Sequence, residues 1–105
     1  MPDKNILDKI INSILKVLVP DKIILFGSQA RGDARPDSDY DILVIASCIE
    51  DELKSERLIY RALLDFNDPV SVDIIVKTPA SAEKSKNLTG SVVKEAFKEG
   101  IVIYD

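Results

Sequence analysis

Histidine and tryptophan are absent from this chain, and cysteine occurs once, at Cys48. Without histidine there is no imidazole general base and no His-containing zinc site. A lone cysteine excludes an internal disulfide, and Cys48 reads as a buried or half-buried thiol in a reducing compartment. No apolar run approaches the roughly 20 residues that span a bilayer. The N-terminus shows no signal pattern, so the expected location is the cytoplasm, with no membrane partner. Basic surplus is also missing. A net charge of −4 argues against binding bulk nucleic acid, which requires a basic surface.

What is present suits one small domain over residues 1–105, with 46% hydrophobic residues to build its core. There are no repeats and no linker. Ile6, Leu7, Ile10, Ile11, Ile14, Leu15 and Leu18 recur at helical spacing, which predicts an amphipathic helix over Asp3 to Leu18, ended by Pro20. A second helix is expected from Glu50 to Leu64, with Leu53, Leu58, Ile59, Ala62 and Leu63 inward and acids at its start, where the helix dipole favours them. Asn67-Asp68-Pro69 reads as a turn. Pro79 to about Leu88 is either a short helix or a loop. Ser91 to Lys98 reads as a helix ended by Gly100, and Ile101 to Tyr104 as a last strand. The expected fold is α/β (α+β). A small mixed sheet of about four strands has helices mainly on one face and acids on the other.

The chemistry concentrates in one stretch. The apolar run Lys22 to Phe26 is a short buried strand. It meets Gly27-Ser28-Gln29-Ala30-Arg31-Gly32, and soon after comes Ser38-Asp39-Tyr40-Asp41, leading into a second strand from Ile42 to Ala46. Gly27 permits a tight turn and close approach of a ligand to the backbone. Ser28 is placed to cap a helical turn starting at Gln29. The N–H groups at such a helix start favour an anion, and a triphosphate fits. Asp39 and Asp41 alternate at the entry of a strand and so share a face. Two carboxylates on one face repel unless a cation lies between them, and Mg²⁺ prefers such oxygen donors. Two such ions, about 3.5–4 Å apart, activate an attacking hydroxyl and neutralise a leaving pyrophosphate. Asp73, alone in the apolar run Ser71 to Val76, is the candidate third acid. It would bind metal or accept the hydroxyl proton.

Each motif also has a plain structural reading. The glycine turn suits any strand-to-helix junction, the acids at 37–41 suit a turn, and Asp73 suits a solvated edge strand. Arg31 either reaches the triphosphate or pairs with Asp33 or Asp39. Gln29 is expected to face solvent. The loop Ala34-Arg35-Pro36-Asp37 reads as a surface turn or a loop that closes on substrate.

Taken together, the motifs resemble the minimal nucleotidyltransferase domain of the DNA polymerase beta-like superfamily. That family carries G-S-x-A-R-G, then S-D-x-D, then an acid in an apolar strand. Gly27, Ser28, Ala30, Arg31 and Gly32 match the first element; Ser38, Asp39 and Asp41 match the second; Asp73 matches the third. Tyr40 departs from the smaller aliphatic residue common there, and its side chain should point away from the acids. The resemblance implies a polymerase-beta-like nucleotidyltransferase fold, with two Mg²⁺ held by Asp39, Asp41 and Asp73. It also implies a nucleoside triphosphate, ATP, at Gly27, Ser28 and Arg31. Stand-alone members are commonly antitoxins paired with a helical HEPN-domain toxin, transferring AMP to one of its tyrosines. The resemblance therefore implies a hetero-oligomer and an adenylyltransferase. Two alternatives stay open: a binding module that neutralises its partner by occlusion, and transfer to a small molecule.

Overall fold

The computed structural model describes residues 3–33, 39–65, 70–88 and 91–105. The chain runs through helix α1 (Lys4–Leu15), strand β1 (Lys22–Phe26), a one-turn helix α2 (Ser28–Arg31) and strand β2 (Tyr40–Ile45). Helix α3 (Glu52–Leu63), strand β3 (Val72–Lys77), helices α4 (Pro79–Ser85) and α5 (Val92–Glu99) and strand β4 (Ile101–Tyr104) complete it. The loop at 34–37, Ser38 and the Asn67-Asp68-Pro69 turn lie outside the described residues.

Local chemistry sets the helix ends. Asp3 caps α1, its Oδ1 accepting from the N–H groups of Asn5 at 2.8 Å and Ile6 at 3.3 Å. The helix stops at Leu15, short of the expected Leu18, because Val17 and Leu18 both turn their N–H groups back to the Ile14 carbonyl. Asp51 caps α3, and Ser91 caps α5. The ambiguous stretch after Pro79 is helical. Thr78 caps α4 through its hydroxyl at 3.2 Å from the Ser81 N–H, and Pro79 takes the first turn, where a missing N–H costs nothing.

The sheet order is β3-β2-β1-β4. β1 is antiparallel to β2 and β4, whereas β2 and β3 are parallel. A parallel pair needs a long crossover, and α3 supplies it. The two long helices, α1 and α3, cover one face. Ile10, Ile14 and Ile59 pack there on Ile23, Leu25, Ile42, Val44, Ile74 and Val76. The second face is partly covered as well. Ile24, Phe26, Leu43 and Ile45 meet Ala82, Val93 and Ala96 from α4 and α5. Burial on both faces explains why β1 and β2 read as continuous apolar runs rather than alternating ones. Each fully buried aliphatic side chain in these layers contributes about 1.5–3 kcal/mol.

The outer edge of β3 is closed by side chains. On α3, Glu52, Glu56 and Tyr60 recur every four residues along one stripe. Tyr60 Oη accepts the Ile74 N–H at 2.8 Å, Glu56 Oε2 the Val76 N–H at 3.1 Å, and Glu52 Oε2 the Thr78 N–H at 2.8 Å. Four helical residues rise about 6 Å and two strand residues about 6.6 Å, so the two rows stay in step. This arrangement corrects the expected inner face of α3. Ile59 is fully buried, but Leu53 and Leu58 are exposed, at 67% and 41%. The helix is oriented by its bonds to β3 and by Ile59, and Leu58 is one step, about 100°, away from that direction. Cys48 is likewise exposed rather than buried, because it lies beyond the end of β2. Among the described residues no helix is long and apolar enough to cross a membrane.

Candidate active site

The glycine turn and the acids meet at one end of the sheet. Phe26, the last residue of β1, is the Cα partner of Asp41 on β2, and Asp41 is the partner of Asp73 on β3. Leu43 and Ile45 belong to the α4–α5 face, so Asp41, two residues earlier, projects to the same side. Tyr40 points the opposite way, as expected. It is buried, and its hydroxyl accepts the Asp3 N–H at 3.3 Å, tying β2 to the start of α1.

Gly27 is required by both conformation and space. Its φ is 74°, and a Cβ there would collide with the Asp41 carboxylate. Gly27, not Ser28, is the N-cap of α2, and the cap makes no side-chain hydrogen bond. Ser28 is instead the first helical residue, which corrects the expectation that its hydroxyl caps the turn. The turn closes through the Ala30 and Arg31 N–H groups, both at 3.1 Å from the Gly27 carbonyl. Gln29 is buried rather than solvent-facing, because this single turn packs against the ends of both β1 and β2.

Asp41 is half-buried, while Asp39 and Asp73 are exposed. Burial raises the Asp41 pKa above its ordinary value. The charges of Asp73, Asp39 and Glu95 raise it further, as does a side-chain hydrogen bond with Asp73. Among the described residues none of the three acids is ion-paired to a basic side chain. Asp41 and Asp73 thus lie side by side, and Asp39 acts on Asp41 through its charge. Among the described residues no group of three or more His, Cys, Asp or Glu side chains is close enough to hold a metal ion. The donor set, all carboxylate oxygen and excess negative charge, still suits a hard divalent cation.

Arg31 pairs with Asp33, as one reading expected, and not with Asp39. Its Nε lies 3.3 Å from Asp33 Oδ2, and its Nη1 lies 3.1 Å from Glu99 Oε2 and 3.7 Å from Glu95 Oε1. Hydrogen bonds that Arg31 donates to Glu99 and then to Asp33 raise its pKa. Sequence reasoning missed both glutamates of α5. A usable signal was present: Glu95 and Glu99 stand four apart and so share a helix face.

The family comparison settles what this layout belongs to. Residues 7–103 match the nucleotidyltransferase domain family. The chain belongs to that family. No match was found among curated proteins. Several solved structures resemble this nucleotidyltransferase. One is a protein from Sulfolobus solfataricus described as a nucleotidyltransferase, with TM-score 0.64 and 19% identity over 96% of this chain and 78% of that one. A toxin–antitoxin structure with AMP-PNP has TM-score 0.59 and 23% identity, over 92% of this chain and 71% of that one. A mutant of the toxin–antitoxin MntA-HpeT, with two Asp-to-Glu changes, has TM-score 0.62 and 20% identity, over 98% of this chain and 73% of that one. These neighbours share the four-stranded mixed α/β fold of this nucleotidyltransferase.

Proposed function

We propose that this nucleotidyltransferase is the antitoxin of a toxin–antitoxin pair. It transfers AMP from ATP to a hydroxyl, a tyrosine, of a HEPN-type toxin in the cytoplasm. The carrying observation is the register that sets Asp41 beside Asp73 and against Gly27. The family match and the toxin–antitoxin neighbours support the reading.

Asp39, Asp41 and Asp73 are the residues that would hold Mg²⁺, two ions in the full site. When bound, Mg²⁺ supplies neutralisation of the triphosphate charge and acidification of the acceptor hydroxyl. Gly27 and Ser28 bring backbone close to the phosphates. Asp73, which is exposed, would take the acceptor's proton. The acceptor oxygen forms a bond to the α-phosphorus, the bond from that phosphorus to the bridging oxygen breaks, and pyrophosphate leaves. Removing charge at the acids would disable this chemistry and leave the apolar surfaces intact.

The test is incubation with α-labelled ATP, Mg²⁺ and the product of the neighbouring gene. Intact mass should show one or more AMP on the partner, absent with Asp39→Asn, Asp41→Asn. Tight partner binding and neutralisation that survive the double substitution without any label would replace this reading with occlusion. Label on a small molecule but not on protein would replace it with small-molecule transfer.

A further inference from the structure

Helix α2 has four residues. One turn has little stability of its own, since nucleation fixes several dihedrals for very few hydrogen bonds. Its orientation must come from anchors outside it. Two are glycines, Gly27 and Gly32, whose positive φ values of 74° and 83° bracket the turn. The third is long-range. Arg31 reaches Glu99, 68 residues away, at 3.1 Å, and Glu95 at 3.7 Å. Both glutamates ride on α5, which is fixed to the sheet by Val93 and Ala96 packed with Ile24 and Phe26. Gly100 seats the end of α5 so closely on Ile24 and the Ala96 carbonyl that a Cβ would not fit. The glutamates are therefore held on a rigid element.

We propose that Arg31, gripped by Glu99 and Glu95, is a latch that orients the glycine turn, and that Glu99 is a positioning residue of the nucleotide site. The guanidinium is surrounded by three carboxylates, those of Asp33, Glu95 and Glu99. Their combined charge exceeds its own, so a triphosphate is repelled from this spot rather than drawn to it. Arg31 thus acts through α2 and not on the phosphates. Each of these part-exposed pairs is weak alone, but a network converging on one guanidinium is where such pairs become measurable.

The inference rests on the nucleotidyltransferase reading for its ligand, so the test has two readouts. The variants are Glu99→Gln, Arg31→Gln and the double substitution. The first readout needs no nucleotide. Amide hydrogen exchange at residues 29–32 should quicken about two- to fivefold in both single variants, because the turn opens locally more often. Unchanged exchange overturns the latch. The second readout is the KM for ATP with Mg²⁺. It should rise by a similar factor in both single variants and no further in the double, with kcat falling less than KM rises. A rise in Arg31→Gln about tenfold beyond that in Glu99→Gln would put the guanidinium on the phosphates and overturn the latch. If the unaltered protein binds no nucleotide, the nucleotidyltransferase reading fails, while hydrogen exchange still decides the latch.

Discussion

Asp41 and Asp73 stand as direct Cα partners on the parallel strands β2 and β3. Neighbouring residues in parallel register share a face, so the two acids are held together by backbone hydrogen bonds and cannot drift apart. A fold gains nothing from forcing like charges together, and the charge repulsion is carried by the packing around them.

The pH dependence follows from Asp41. Its folded pKa is raised, so the folded state holds the proton more tightly than the unfolded one. The resulting stabilisation is full below the unfolded value and is lost as pH rises through the folded value. In metal-free protein, Asp41→Asn should therefore raise Tm at neutral pH, with the gain fading towards about pH 3–4. Mg²⁺ should raise the neutral-pH Tm of the unaltered protein but not of Asp41→Asn. Thermal melts with and without chelator check both.

The two glycines of the turn should respond differently to alanine. Gly32→Ala meets open space and suffers only the left-handed backbone, about 1–2 kcal/mol. Gly27→Ala meets the same backbone penalty and must also displace the Asp41 carboxylate. Urea denaturation should find Gly27→Ala the more destabilised, and nucleotide binding should be lost in that variant alone.

The closed edge of β3 gives a third expectation. Tyr60→Phe leaves the Ile74 N–H without its partner and should cost about 0.5–1.5 kcal/mol. Combining it with Glu56→Ala and Glu52→Ala strips the edge and exposes strand N–H groups to other chains. Light scattering should show self-association of the triple variant at concentrations where the unaltered protein stays unassociated.

Helix α3 offers a direct contrast between a buried and an exposed residue. Ile59→Ala should cost about 2–5 kcal/mol, because it opens a cavity under the sheet. Leu53→Ala should stay within about 0.5 kcal/mol, because Leu53 is largely in solvent. Equal losses would mean that α3 packs the way its leucine pattern suggested.

Much of the fold was legible because it is written locally. The apolar runs of β1 and β2 and the helical repeat of Ile6, Ile10 and Ile14 each depend on residues a few positions apart. The glycine turn and Asp41 were legible as a pair for the same reason, since the strands bearing them are consecutive and antiparallel. The Ser28 cap and the solvent-facing Gln29 were misread because a one-turn helix is shaped by what it touches. Leu53 and Leu58 were misread because hydrophobicity does not say which side of α3 meets β3.

From the sequence alone came the strands, the two long helices, the helix ahead of Gly100 and the glycine turn, since dihedral preference and periodicity act over a few residues; the stretch after Pro79 stayed open between helix and loop. Only tertiary structure decided that Asp73 stands beside Asp41, that α3 seals the edge of β3, and that Glu95 and Glu99 reach back to Arg31. Those contacts follow from strand order and crossover direction. They span tens of residues, where local periodicity carries no information and the lowest free energy belongs to the packing of the whole chain.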